Sequence, residues 1–210
     1  MSTVLVIAKE PVPGRVKTRL TPPFSPSEAA RLAEAALADT LDAVLATPAD
    51  RRVLVLAGNP GAWLPVGFEV VPQCPGGLDE RLAAAFARCT GPTLLIGMDT
   101  PQVTPALLAT GLEFERCDAW FGPADDGGFW ALGLAAPDPE LLRGVPMSVP
   151  ETGRVQRCRL TEAGLTVRDL PALRDVDTAA DALAVAGKVP SSRFAVLHAA
   201  LTGTGVGRAP

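Results

Sequence analysis

The stretch Ile96-Gly97-Met98-Asp99-Thr100-Pro101 decides the predicted fold. The apolar run 93–96 predicts a buried strand, and Pro101 prevents further strand pairing because it has no N–H to donate. Ligands of open α/β sheets bind just beyond the carboxyl ends of the strands. Asp99 lies at such an end, so it is either a cap for the following helix or a metal ligand.

Strand and helix patterns alternate along the rest of the chain, which predicts an α/β fold. Strands are predicted at 3–8, 52–57, 68–71, 93–96, 119–123, 129–134 and 165–170, and helices at 25–45, 78–89, 104–114, 151–163, 178–187 and 191–201. Capping boxes at Ser25 and Thr178 mark two of the helix starts. Since nothing in the pattern separates two units, we expect one domain over residues 1–202, followed by a flexible tail at 203–210.

Composition restricts the classes of function. The chain of 210 residues is 48% hydrophobic and 20% charged, as in a globular protein. Its net charge of −4 gives no general attraction to nucleic acid or to an anionic membrane. The apolar run 3–8 is too short for a signal peptide or a membrane span, so we expect a cytoplasmic protein. The single histidine argues against a histidine-based metal site or a Ser–His triad.

A basic loop, Lys9–Leu20 (KEPVPGRVKTRL), follows the first predicted strand. It contains Gly14 and four cations, Lys9, Arg15, Lys17 and Arg19. A cationic, glycine-containing loop at this place in an α/β protein is suited to phosphate binding. The loop lacks the spacing of a Walker A motif. The alternative interpretation is a solvated basic loop.

Three further stretches are candidates for a binding site. Gly76 and Gly77 precede a helix, where they either admit a ligand close to backbone amides or form a plain turn, and Arg81 can face the loop side of that helix. The turn 125–128 (DDGG) lies between two predicted strands and either contacts a substrate or is only a tight turn. Asp175-Val176-Asp177 places both carboxylates on one side of an extended segment, unless Asp177 only caps the next helix.

Five stretches, in this order, resemble the GT-A-like nucleotide-diphospho-sugar transferases, and most closely the bacterial family called radical-SAM/selenodomain-associated transferase 1. They are Lys9–Leu20, Gln73–Leu82 (QCPGGLDERL), Gly97–Pro101 (GMDTP), Gly122–Gly133 (GPADDGGFWALG) and Asp175–Thr178 (DVDT). The KTRL segment also resembles the KSRL segment of 2-phospholactate guanylyltransferases, and molybdenum-cofactor guanylyltransferases are more distant fold relatives. The resemblance implies a GT-A, Rossmann-like three-layer α/β/α sandwich with a mostly parallel mixed sheet.

The resemblance and the residue patterns together yield a set of site predictions. By resemblance, Lys17 and Arg19 would contact nucleotide phosphates, and three aspartates would hold one or two Mg²⁺ (or Mn²⁺) ions. The predicted catalytic residues are Lys17, Arg15 and Asp99; the nucleotide-binding residues are Lys9, Gly14, Arg15, Lys17, Arg19, Gly76, Gly77 and Arg81; the acceptor-binding residues are Asp125, Asp126, Gly127, Gly128 and Phe129; the metal ligands are Asp99, Asp175 and Asp177.

The leading functional hypothesis is a Mg²⁺-dependent nucleotidyltransferase acting on a small anionic metabolite. Such transfer needs mainly positioning and charge neutralisation, and an anionic acceptor needs no general base. The alternative is a glycosyltransferase with a nucleotide-sugar donor, with Asp125, Asp126 or Glu151 as the base. Gly77 and Asp79 stand where the family has Asp and Gly, which leaves open a non-catalytic nucleotide-binding protein. The expected partners are a nucleotide or nucleotide-sugar and a small anionic acceptor, without nucleic acid or membrane, in a monomer or homodimer.

Overall fold

Seven strands and six α-helices form the part of the chain that the computed structural model describes, residues 1–203. The strands are β1 (Thr3–Lys9), β2 (Arg51–Ala57), β3 (Glu69–Pro72), β4 (Thr93–Ile96), β5 (Ala119–Pro123), β6 (Phe129–Leu134) and β7 (Val167–Asp169). The helices are α1 (Pro26–Leu45), α2 (Leu78–Phe86), α3 (Pro105–Thr110), α4 (Thr152–Glu162), α5 (Ala179–Lys188) and α6 (Arg193–Thr202). Residues 204–210 of the predicted tail lie outside the described residues. No helix within 1–203 is long and apolar enough to cross a membrane.

The strands form one mixed sheet in the order β3-β2-β1-β4-β6-β5-β7. β1 pairs in parallel with β2 and β4, whereas β6 runs antiparallel to both β4 and β5. Ile96 at the end of β4 is opposite Ala131 near the start of β6. The β5–β6 turn therefore lies at the same edge of the sheet as the carboxyl ends of β1 and β4.

Helices cover both faces of this sheet, which confirms the predicted three-layer α/β/α architecture. On one face, Leu37 and Leu41 of α1 and Leu108 of α3 pack in a single apolar cluster with the strands. On the other face, Phe86 of α2 and Leu160 of α4 do the same. Because both faces are covered, all four residues of β4 are buried. α6 packs against α1, and α5 packs against α6, as a further helical layer.

The helix starts follow the predicted caps. The Ser25 side chain accepts from the Glu28 amide while the Glu28 carboxylate accepts from the Ser25 amide, a complete capping box. Thr178 and Asp181 form the same arrangement at α5. These bonds satisfy amides that have no partner within the helix.

Some predicted boundaries are wrong. α3 ends at Thr110 rather than at residue 114, because Gly111 follows and glycine is a poor helix former. α2 ends at Phe86 rather than at residue 89, and its first residue, Leu78, is 40% exposed. Lys9 belongs to β1 rather than to the loop. Within the loop, residues 18–20 form a 3-10 turn.

Candidate active site

A cleft of about 520 Å³ opens at the carboxyl edge of the sheet. The topology explains its location, because the ends of β1 and β4, the β5–β6 turn and the segment after β7 all reach this edge. Predicted site residues that line it are Lys9, Arg15, Lys17, Arg19, Arg81, Asp99, Asp126, Gly128, Phe129, Asp175 and Asp177. The structure thus brings together most of a set that is scattered over nearly 170 residues of sequence.

Lys17, Arg19, Asp99 and Asp177 form a network of opposite charges, here called the cleft cluster. Lys17 Nζ lies 2.5 Å from Asp99 Oδ2 and 3.9 Å from Asp177 Oδ1. Arg19 Nη1 lies 2.7 Å from Asp177 Oδ2. Burial by itself would lower the pKa of Lys17, but the charge of Asp99 and its hydrogen bond, helped by Asp177, raise it above its ordinary value. Lys17 is therefore a half-buried cation at neutral pH, with a side chain only 13% exposed.

The basic loop places Lys17 in the cleft through its neighbours. Val16 is buried against Ala30 and Ala33 of α1, which anchors the loop to the helix. Lys17 itself has a left-handed backbone (φ 47°, ψ 42°) at the start of the 3-10 turn. This conformation is costly for a residue other than glycine and is concentrated at functional sites. Ser148, on another part of the cleft, shares it with φ 59°.

The segment 175–177 reaches the cleft because its middle residue, Val176, is held in place by burial and by a backbone hydrogen bond. Val176 is buried in the core beneath α5, and its amide donates to the Asp99 carbonyl over 2.9 Å. Asp175 and Asp177, on either side, both line the cleft, as the alternation predicted. Asp175 Oδ1 is buried without a hydrogen-bond partner. Burial, and then the charges of Asp99 and Asp126, raise the pKa of Asp175 to about 8.

The predicted metal ligands share the cleft but are not gathered around one point. Residues 1–203 contain no group of three His, Cys, Asp or Glu side chains arranged to hold a metal ion. The Lys17 ammonium instead lies against Asp99 and Asp177. The assignment of Asp99, Asp175 and Asp177 as metal ligands therefore stays a prediction.

A second wall of the cleft is held by hydrogen bonds to carbonyl oxygens of the backbone and of one side-chain amide. Gln73 Nε2 donates to the carbonyls of Ala8 (2.7 Å) and Val55 (3.1 Å), so its amide is fixed on the sheet. Its Oε1 accepts from Arg81 Nη1 at 3.4 Å, and Arg81 Nε donates to the Gly76 carbonyl at 3.0 Å. The sequence reasoning missed Gln73 as a site residue. Its position, two residues after a predicted strand, was the available signal.

The glycine pair before α2 does not present amides to the cleft. The Gly77 N–H donates to the Glu80 carboxylate at 2.7 Å, so a capping side chain already occupies the group predicted to bind a ligand. Neither Gly76 nor Gly77 lines the cleft, and the same is true of Gly14. For Gly76 and Gly77 this geometry agrees with the plain-turn interpretation, and the ligand contacts of all three glycines stay predictions.

The two adjacent acids of the β5–β6 turn point in different directions. Asp126 lines the cleft and accepts from the Gly128 amide at 2.8 Å. Asp125 pairs with Arg174 at 3.0 Å outside the cleft lining. Gly127 has φ 90°, and its carbonyl accepts from the Gly153 amide at 2.8 Å, so it joins the turn to the start of α4. The geometry does not place Asp125 and Gly127 where acceptor binding was predicted.

Comparison with known proteins agrees with this architecture. A candidate nucleotide-diphospho-sugar transferase from Desulfovibrio desulfuricans G20 superposes with a TM-score of 0.85 at 26% identity, covering 97% of this chain and 94% of that one. The inositol-1-phosphate CTP transferase from T. maritima shares the fold, with a TM-score of 0.58 at 11% identity over 90% of this chain and 96% of that one. Fold and cleft together define a protein of the GT-A-like nucleotide-diphospho-sugar transferase superfamily, as predicted.

The family follows from the sequence matches. Residues 31–149 match the family model described as "Uncharacterized protein conserved in bacteria (DUF2064)". The chain is also 32% identical over 192 residues to the phosphoenolpyruvate guanylyltransferase of Salinispora arenicola (strain CNS-205), covering 85% of each chain. The chain therefore belongs to the DUF2064 family and is a homologue of that guanylyltransferase.

Proposed function

We propose that the protein is a nucleotidyltransferase that joins a nucleoside monophosphate from an NTP to a small anionic acceptor. The observation that carries this proposal is the lining of one cleft by five cations and four carboxylates. They are Lys9, Arg15, Lys17, Arg19, Arg81, Asp99, Asp126, Asp175 and Asp177. Cations neutralise a triphosphate, whereas carboxylates are the groups that hold a divalent ion beside it. The homologue named above is itself a guanylyltransferase.

In the proposed reaction an acceptor oxygen attacks the α-phosphorus of the NTP. The bond from that phosphorus to the oxygen bridging the β-phosphate breaks, and pyrophosphate leaves with the electron pair. Arg15, Lys17 and Arg19 would neutralise charge on the transferred and leaving groups. A phosphate or carboxylate acceptor is already deprotonated, so the chain need not supply a base. This agrees with the position of its one histidine, which is buried in the helical layer beside Phe24.

The carboxylates that line the cleft are of the chemical type that a divalent cation such as Mg²⁺ prefers, although no three of them within residues 1–203 converge on one point. Asp175 Oδ1 is buried without a partner, and carboxylate oxygens are the preferred ligands of such ions. We propose Asp99, Asp175 and Asp177 as the ligands, as the sequence predicted. When bound, the ion would neutralise the triphosphate and the departing pyrophosphate.

For the acceptor we propose a small phosphorylated carboxylic acid, bound near Asp126, Gly128 and Phe129. The Salinispora homologue is named for phosphoenolpyruvate, which belongs to this class. Arg81 lines the same cleft and is held by two carbonyl oxygens, so its guanidinium would meet an anionic group without first having to be ordered.

The test is incubation with each of the four NTPs, Mg²⁺ and a panel of phosphorylated and non-phosphorylated carboxylic acids. Pyrophosphate release should require both an NTP and an acceptor, and the product should show a new phosphoanhydride or acyl-phosphate resonance in ³¹P NMR. An Asp99→Asn variant should release pyrophosphate about 10²-fold more slowly, or slower still. Absence of pyrophosphate with every pair, using protein that still binds NTP, would favour a non-catalytic binding protein.

A glycosyltransferase is the second candidate, because the Desulfovibrio structure that superposes over almost the whole chain is a candidate nucleotide-diphospho-sugar transferase. Under this alternative the donor is a nucleotide-sugar, and Asp126 is a cleft carboxylate that can act as base toward an acceptor hydroxyl. Release of a nucleoside diphosphate from a UDP- or GDP-sugar, without any pyrophosphate from NTPs, would select it.

A further inference from the structure

We propose that the ammonium of Lys17 and a divalent cation are alternative occupants of the space between Asp99 and Asp177. Entry of the metal would release Lys17 toward the nucleotide phosphates. The inference rests on the proposed function, because it assigns Lys17 a part in metal loading. It goes beyond a static role for Lys17 as a phosphate ligand.

The first argument is that Lys17 already occupies a cation position. Its Nζ contacts Asp99 at 2.5 Å and lies 3.9 Å from Asp177, and its side chain is 13% exposed. A divalent ion held by the same two carboxylates would lie within a few ångströms of this ammonium. Two cations at such a distance repel strongly in a partly buried site, so both cannot remain there.

The second argument is that one monovalent cation leaves this site incompletely satisfied. Asp175 Oδ1 lies buried without a hydrogen-bond partner in the cleft that Lys17, Asp99 and Asp177 also line. A carboxylate oxygen that lacks a partner is costly. An ion of higher charge with several coordination positions would satisfy all three carboxylates.

The third argument is that the cleft offers a second position for the Lys17 ammonium. Lys9, Arg15 and Arg19 line the same cleft, so a displaced ammonium would join the side chains proposed to neutralise phosphate. The backbone can stay in place while this happens, because Val16 is anchored on α1 and only the flexible lysine stem must turn. Metal binding would thus also add the Lys17 ammonium to the side chains that bind phosphate.

The decisive experiment measures Mn²⁺ affinity by calorimetry on the full chain, with no nucleotide present. Lys17→Met removes the competing cation and should bind Mn²⁺ at least tenfold more tightly than the wild type. Lys17→Arg keeps the charge and should not gain affinity. Lys9→Met is the matched control, since it removes a lysine that lines the same cleft but is exposed, and it should change affinity less than threefold. Equal or weaker binding by Lys17→Met, or no Mn²⁺ binding by any variant, would overturn the proposal.

A second measurement keeps the test valid if Lys17→Met does not fold. The chain has three lysines, Lys9, Lys17 and Lys188, so acetylation of each can be followed in the wild type by mass spectrometry. Added Mg²⁺ should accelerate labelling of Lys17 at least threefold relative to Lys188, and unchanged or slower labelling would contradict the exchange. Neither measurement uses turnover. Failure of exchange in a protein that releases pyrophosphate removes only this inference, whereas failure of pyrophosphate release removes the proposed function.

Discussion

Two ionic clusters join distant parts of the chain, and they satisfy their carboxylates in different ways. The helix cluster, Arg193 with Asp39 and Asp42, holds α6 against α1. Asp39 is only 10% exposed, and its carboxylate accepts from the backbone amides of Arg193 (3.1 Å) and Phe194 (2.9 Å). In the cleft cluster, Asp99 and Asp177 instead receive the side-chain cations of Lys17 and Arg19.

The difference separates a structural ion pair from an exchangeable one. Backbone amides at a helix start cannot leave without unfolding the helix end, so Asp39 is fixed in place. A lysine stem can turn away, and the nearby Asp175 oxygen still lacks a partner. The helix cluster should therefore contribute to stability, and the cleft cluster to ligand binding and catalysis.

The largest expected effect is on catalysis, in the cleft cluster. Asp99→Asn should lower kcat about 10²-fold or more, because it removes the charge at the centre of the site. The melting temperature should change little, since Asn keeps the shape and loses only an exchangeable ion pair. Pyrophosphate release and a thermal melt on the same sample give both values. Retained activity with a lower melting temperature would make Asp99 a structural cap.

The converse substitution is Asp39→Ala in the helix cluster. It leaves two amides at the start of α6 without an acceptor and should cost about 2 kcal/mol of unfolding free energy. A loss of this size lowers the melting temperature by about 4–8 °C. Turnover measured well below the melting point should equal that of the wild type. A loss of turnover at that temperature would show that the clusters do not divide stability and function.

Asp175→Asn should change the melting temperature less than Asp39→Ala does, and should raise it rather than lower it. Burial and neighbouring negative charges raise the pKa of Asp175, so an ionisable side chain here destabilises the metal-free protein. The neutral variant should melt about 2 °C or more above the wild type in EDTA. It should also show a smaller upward shift on addition of Mg²⁺. A lower melting temperature in EDTA would mean that the carboxylate contributes to the fold.

The smallest expected effect is on the pH dependence of stability, through His198. This residue is buried in the helical layer against the rings of Phe24 and Phe194. Burial lowers the pKa of His198, so the unfolded chain, near the ordinary value of 6.5, takes up the proton first. Stability contributed by the neutral imidazole is complete above pH 6.5 and is lost as pH falls toward the folded-state pKa. His198→Phe should remove this dependence. If the melting temperatures of the wild type and the variant fall by the same amount between pH 7.5 and 5.5, this role of His198 is contradicted.

Local sequence determined a large part of this protein. The buried strands, the capping boxes at Ser25 and Thr178 and the acid after β4 follow from interactions between residues a few positions apart, and these patterns carry their own physical signal. The α/β architecture was predicted correctly for the same reason, and the family was predicted correctly from the resemblance of five stretches of the sequence. The basic loop and Asp99 each follow one of two parallel strands, β1 and β4, so both lie at the carboxyl edge of the sheet.

Tertiary structure alone decided which of these groups meet. Asp125 and Asp126 are adjacent in sequence, yet one pairs with Arg174 and the other lines the cleft, because the turn geometry set by Gly127 directs them apart. Lys17 and Asp99 are 82 positions apart, and their contact depends on the register of β1 with β4 and on the anchoring of Val16. Such contacts arise from packing across the whole chain, and for that reason no local pattern in the sequence predicted them.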